Sequence, residues 1–172
     1  MQNAEITIRK ATIDDAPACA EIHCLGWEAA YADFVPAAYL AQRRPHRLEK
    51  WRGYLVSGLY EYYVPVLEGN VVGFLSLCPP RDEDLPGYYY EVGGIYLHPS
   101  VYRRGIGRKL MLFAEEQARA KGKTAMMLWV FEDNASSRRF YEACGYRPDG
   151  RTEEHEYGRT LRSLRYVKEI SV

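Results

Sequence analysis

The spacing of apolar positions divides the chain into segments of two periods. Ile6 and Ile8 are two residues apart and predict a short first strand. Thr12-Ile13-Asp14-Asp15 then reads as a helix start, a capping side chain followed by acids in the first turn. Ala16, Cys19, Ala20, Leu25 and Trp27 continue at helical spacing, with Gly26 as a weak point near the end. Pro36 and Pro45 can each open a further short helix, and Leu48, Trp51, Leu55 and Val56 share a face over 47–56. From Tyr62 the period shortens to two. Tyr63–Leu67, the turn Glu68-Gly69-Asn70 and Val71–Leu77 predict strand, tight turn and strand. Residues 79–86 form a polar loop, and 88–97 a third strand that ends at His98-Pro99. Ile106, Leu110, Phe113, Ala114 and Gln117 return to helical spacing over 105–120, with Gly122 as the C-cap. Residues 125–131 are nearly all apolar, which predicts a central strand buried on both faces. Residues 135–143 predict a short helix and 161–170 a last strand. This order gives a mixed sheet flanked by helices, not a doubly wound fold.

Composition narrows the picture only slightly. The chain has 172 residues, which fits one domain spanning 1–172. With 23 basic and 23 acidic residues it lacks the excess charge that a nucleic-acid binder carries, so no nucleic-acid partner is expected. No run approaches the roughly 18 apolar residues of a membrane span. Residues 1–10 do not read as a secretory signal. Cys19, Cys24, Cys78 and Cys144 form no CxxC pair, so no metal site is expected. Scattered thiols without a leader fit a reducing cytoplasm. The 15 tyrosines fill a core with wet edges or line a cleft.

The chemical signal is Tyr102-Arg103-Arg104-Gly105-Ile106-Gly107-Arg108, between a strand and a helix. Glycines let backbone approach a ligand, and the first helical N–H groups have no intrahelical partner. With the helix dipole they form a site for a pyrophosphate, and Arg103, Arg104 and Arg108 add charge at its rim. No GK[ST] follows, so this is not a Walker A loop, and Leu110 stands where a Rossmann fingerprint has its third glycine.

Gly94–Pro99 followed by Arg104-Gly105-Ile106-Gly107-Arg108-Lys109-Leu110 resembles the acetyl-CoA-binding motif of the GNAT superfamily. Asn134-Ala135-Ser136-Ser137 through Tyr141 to Gly145-Tyr146 resembles that superfamily's second signature, in the right order and spacing. The resemblance covers roughly 6–167 and is tight over 91–146. It implies one α/β (α+β) domain: a mixed, mostly antiparallel sheet of six to seven strands with about four helices, splayed at the acetyl-CoA site. It implies an N-acetyltransferase that moves an acetyl group from acetyl-CoA to a primary amine. The acceptor is a polyamine-like or amino-acid-like small molecule, or a protein N-terminus. The alternative is a non-catalytic acyl-CoA-binding regulatory domain. A homodimer is a further expectation, since dimers are common in the superfamily.

The resemblance also implies roles. Backbone groups of Ile95, Tyr96 and Leu97 receive the pantetheine, and Gly93-Gly94 supplies a bulge that opens the sheet. Arg103 to Arg108, with Gly105, Ile106 and Gly107, take the pyrophosphate, and Asn134 and Ser137 touch the cofactor. Tyr141 protonates the leaving thiolate, and Glu91 takes the amine proton, often through water. Tyr102 departs from the Gln or Arg usual at its place. Asp82, Glu83 and Asp84 attract a cationic substrate or are solvated. His23, His46, His98 and His155 read as structural, and Cys144 as packing. Trp27, Tyr31, Phe34, Tyr39 and Trp51 fall in the region that covers the acceptor cleft, although aromatics there are more often core. The stretch 26–36 resembles a group of bacterial GNAT proteins, some acting on polyamines.

Overall fold

A computed structural model describes residues 5–171; Met1–Ala4 of the segment read as lacking a signal, and the last residue of the 1–172 domain expectation, lie outside the described residues. The strands are β1 (Ile6–Lys10), β2 (Glu61–Leu67), β3 (Asn70–Val71), β4 (Gly73–Cys78), β5 (Tyr89–Leu97), β6 (Ala125–Phe131), β7 (Arg147–Glu156) and β8 (Thr160–Glu169). The helices are α1 (Ala16–Tyr31), α2 (Ala37–Arg43), α3 (Arg47–Ser57), α4 (Ile106–Ala120) and α5 (Ala135–Ala143). One sheet holds the strands in the order β1-β2-β4-β5-β6-β8-β7, with the two-residue β3 beside β2. Its neighbours are antiparallel except β5 and β6, which run parallel. The sheet is mixed, as expected, with one more edge strand than the sequence indicated.

That extra strand is β7. Every residue of it is exposed except His155, which is half-buried. An edge strand wet on both faces needs no alternation, so its charged sequence carries no strand period.

Helices cover both faces. Leu110, Met111, Ala114 and Ala118 of α4 pack with Leu75, Val92, Met126 and Leu128 on one side. Ala16, Cys19, Ala20 and Ile22 of α1 and Trp51 of α3 pack with Val64 and Phe74 on the other. β6 is buried over most of its length, which its apolar run predicted. The start of α1 is locked by Asp15, which accepts the Thr12 amide at 2.7 Å and both Arg9 guanidinium nitrogens at 2.8 Å.

The feature that shapes the molecule is a defect at the centre of the sheet. β4 and β5 pair through Ser76–Gly94, then slip one residue to Leu77–Val92, leaving Gly93 as an extra residue. A Cβ on Gly93 would stand 3.0 Å from Ser76 Oγ and from the Tyr60 ring. On its other edge β5 pairs with β6 only from Tyr89–Ala125 to Val92–Leu128. Beyond that point Trp129–Phe131 stay with β8 and the second half of β5 has no partner on that side. The sheet therefore opens at the bulge expected at Gly93-Gly94.

Candidate active site

The opening in the sheet becomes a cleft of about 1030 Å³. Its walls are β5 from Val92 to Leu97, the ends of α1 and β6, the first turn of α4, α5 along its length, and part of β7.

Strand parity decides which backbone groups face it. The His98 amide donates to the Val72 carbonyl at 2.8 Å, so the backbone at His98 turns its N–H toward the β4 side. Pairing alternates in an antiparallel ladder, so Tyr96–Phe74 is bonded, and Leu97–Gly73 and Ile95–Leu75 are not. The Tyr96 carbonyl lies against Gly73, 2.7 Å from where a Cβ would be. The N–H and C=O groups of Ile95 and Leu97 thus point into the gap. Tyr96 is a correction to the expectation: β4 takes its backbone groups, and its side chain lines the cleft instead.

Residues 102–108 turn tightly into α4. Arg103 and Gly105 both have left-handed backbone, at φ 60° and 77°. Gly105 stands in open space, so its conformation rather than crowding calls for glycine. Gly107 answers to packing, since its Cβ would lie 3.1 Å from the Phe140 ring on α5. The Lys109 amide is the first to bond back into the turn, to the Gly105 carbonyl at 3.2 Å. The amides of Ile106, Gly107 and Arg108 therefore open α4 without intrahelical partners. Arg103 and Arg108 line the cleft; Arg104 is exposed and does not. Arg139 lines it as well, which the sequence reading missed. Exposed free backbone, two glycines and three arginines together fit an extended ligand that ends in a pyrophosphate.

On α5 the buried Asn134 caps the helix, its side-chain oxygen accepting the Ser137 amide at 3.1 Å. Both residues border the cleft. Tyr141 sits two turns on, among Phe140 and Tyr146, and its hydroxyl has no hydrogen-bond partner among the described residues. Burial, with Tyr96 and Cys144 nearby, pushes its pKa well above the ordinary tyrosine value. Cys144 lines the cleft as a free thiol, its pKa raised by burial.

Glu91 lies differently. It is 2% exposed and does not line the cleft, whereas Arg81, 3.6 Å away, does. One carboxylate oxygen is buried without a partner among the described residues. Desolvation raises its pKa, opposed by the Arg81 charge. Two of the three neighbouring acids, Asp82 and Asp84, are not free to attract substrate, a second correction, whereas Glu83 is exposed. Asp82 and Asp84 both accept from the buried Arg165, at 3.1 and 2.8 Å, as does Asp149 at 2.8 Å. This clamp fastens the loop that carries Arg81 onto β8.

The aromatic residues divide. Trp27, Tyr31 and Phe34 line the cleft, together with Phe131 and Tyr157. Tyr39 packs behind them on Tyr157, and Trp51 is core at 1% exposure. Phe131 was legible only as a strand end and Tyr157 not at all, because it lies in the β7–β8 turn.

The Acetyltransferase (GNAT) family profile matches residues 13–146. The chain is 32% identical over 151 residues to the uncharacterized N-acetyltransferase YuaI of Bacillus subtilis, covering 87% of this chain and 84% of that one. It is 31% identical over 144 residues to the L-methionine sulfoximine/L-methionine sulfone acetyltransferase of Salmonella typhimurium, covering 82% and 80%. Among solved structures, the PaiA N-acetyltransferase of Thermoplasma acidophilum in complex with coenzyme A superposes with a TM-score of 0.77 at 22% identity, over 96% and 99% of the two chains.

Proposed function

This chain belongs to the acetyltransferase (GNAT) family and is an acetyl-CoA-dependent N-acetyltransferase; from that premise we propose that one domain spanning 1–172 acetylates the primary amine of a small molecule, with Tyr141 as general acid and Glu91 as base through water. The observation that carries this reading is the meeting, in one cleft, of the unpaired half of β5, the open N-terminus of α4 and the free hydroxyl of Tyr141.

Acetyl-CoA supplies an acetyl thioester, whose carbonyl is attacked by the amine and whose sulfur departs. The N–H and C=O groups of Ile95 and Leu97 hold the extended arm, and the Leu97 N–H is a donor for developing oxyanion charge. The amides of Ile106–Arg108, with Arg103, Arg108 and Arg139, hold the pyrophosphate. Asn134 and Ser137 shape the wall beside it while capping α5.

Tyr141 stays protonated at any physiological pH because burial raises its pKa. The same burial disfavours a thiolate beside it, which favours a hydrogen bond from the neutral hydroxyl to the leaving sulfur, with the proton passing as that sulfur takes up charge. Glu91 is shut from the cleft by Arg81, and this favours a water between the carboxylate and the amine. Freeing an alkylammonium proton at pH 7 costs about 4.6 kcal/mol for an ordinary pKa of about 10.4, which is what the base must offset.

The small-molecule acceptor is supported by the Salmonella relative, which acts on methionine derivatives, and by the closed acceptor end. There Trp27, Tyr31, Phe34, Phe131 and Tyr157 pack edge to face between α1 and the β7–β8 turn. The direct test is CoA-thiol release against a panel of amines. We expect turnover with a subset of small amines. Binding of acetyl-CoA without release for any amine would instead support the regulatory-domain alternative.

A further inference from the structure

Behind the acceptor end of the cleft stands a positive charge that no neighbour neutralises. Arg47 on α3 is 5% exposed, yet it makes no ion pair among the described residues. Its Nη1 donates to His23 Nδ1 at 3.3 Å, its Nε is buried without a partner, and its guanidinium lies 5.3 Å from the centre of the Trp27 ring. His23 also accepts from Trp51 Nε1 at 3.2 Å and is held neutral by burial and by Arg47 itself. Arg43, one turn earlier, lies over the same indole at 5.2 Å and hydrogen-bonds the Tyr39 hydroxyl, again without a carboxylate among the described residues. Leaving a buried charge uncompensated is costly, and in a low dielectric its field reaches several ångströms.

On the cleft side of Trp27 the polar groups are built to donate. The Tyr31 and Tyr96 hydroxyls lie 2.9 Å apart, and both rings line the cleft with Trp27. The buried Trp27 Nε1 approaches the Tyr96 hydroxyl but closes no hydrogen bond of normal geometry. Of three polar hydrogens, one joins the tyrosines, the Trp27 N–H is buried against the Tyr96 hydroxyl, and one hydroxyl hydrogen remains for a ligand. The arrangement is fixed by Gly26: a Cβ there would meet the Tyr96 ring at 2.7 Å. Glycine inside a helix costs about 1 kcal/mol relative to alanine, and here it lets Tyr96 lie against α1 and reach Tyr31. The carboxylates that line the cleft, Asp33, Asp133 and Glu153, are exposed; Asp133 is paired with Arg159 at 2.5 Å and Glu153 lies 3.6 Å from His155.

We propose that the Trp27 indole and the Tyr31–Tyr96 hydroxyl pair, under the field of Arg47 and Arg43, form a subsite for a carboxylate borne by the acceptor amine. The substrate is then amino-acid-like. A polyamine, which brings only donors and positive charge, is rejected. This rests on the N-acetyltransferase reading and deepens it.

The test is titration calorimetry of the CoA-loaded protein with the L-amino acids, their amides and spermidine, with thiol release run in parallel on acetyl-CoA. At least one free acid binds, its amide binds tenfold or more weakly, and spermidine binds no better than the amide. Tyr96→Phe weakens the acid about tenfold and leaves CoA affinity unchanged. Arg47→Gln erases the acid-over-amide preference and Arg47→Lys keeps it. If Arg47→Gln does not fold, Tyr31→Phe, which removes one hydroxyl of the pair and keeps the ring, carries the same comparison. Tighter binding of spermidine, equal binding of acid and amide, or no binding of any free acid overturns the proposal. Failure of the enzyme reading shows separately, as CoA binding without thiol release for any amine.

Discussion

At the scale of single residues, the proposed division of the proton transfers between two side chains makes a prediction for each. Tyr141 keeps a free hydroxyl in the cleft. Tyr141→Phe should lower kcat by roughly 10²–10⁴-fold, the usual worth of a positioned acid or base, with the Kd for acetyl-CoA nearly unchanged. Unchanged turnover would remove Tyr141 from the chemistry. Glu91 must be ionised to act, and burial has already moved its pKa above the ordinary carboxylate value, against the pull of Arg81. The acid limb of kcat/KM should therefore lie above the ordinary glutamate range. Arg81→Gln removes the pull and should move that limb to higher pH, and Glu91→Gln should abolish it. A limb that stays in place in Arg81→Gln separates Glu91 from catalysis. Tyr141 was legible because its motif fixes its position. The depth of Glu91 was not, because burial under Arg81 depends on the loop that Arg165 holds from across the sheet.

At the scale of elements, the site is made by ends and interruptions: the bulge at Gly93, the point where β5 leaves β6, and the first turn of α4. Gly105 and Gly107 marked the last of these in the sequence, yet for different physical reasons. Gly105→Ala places a side chain at φ 77° and should cost about 1–2 kcal/mol in stability. Gly107→Ala should instead push α4 from Phe140 and weaken CoA binding. Both are read by thermal unfolding with and without CoA, and equal effects of the two on affinity would contradict the division. The clamp on the β4–β5 loop was not legible, since Arg165 meets Asp82, Asp84 and Asp149 only after the chain has crossed the sheet. Arg165→Leu leaves the nearly buried Asp82 without its cation and should destabilise by about 3 kcal/mol, the lower end for breaking a buried pair. A shift in denaturant midpoint near zero would show that the clamp is solvated. β7 escaped the sequence reading because pairing with β8 alone, not burial, makes it a strand.

At the scale of the whole molecule, one sheet serves as both scaffold and site, with α1 and α3 on one face and α4 and α5 on the other. Most of this architecture was written in apolar spacing, from β1 to the central β6. What spacing cannot encode is the divergence of two neighbouring strands, because their residues alternate alike whether or not they pair. The resemblance and Gly93-Gly94 pointed to the opening, and strand parity turns the backbone groups of Ile95 and Leu97, not Tyr96, toward it. No helix among the described residues is long and apolar enough to cross a membrane. The central claim, that the cofactor lies along the unpaired half of β5 and ends at α4, is tested most directly by residue-resolved amide hydrogen exchange with and without saturating CoA. The account predicts that the amides of Ile95, Leu97 and Ile106–Arg108 exchange freely in the unliganded protein and slow at least tenfold in the complex, while Tyr96, already bonded to β4, is slow in both. Unchanged exchange at Ile95 and Leu97 in a saturated complex would contradict it and place the cofactor elsewhere.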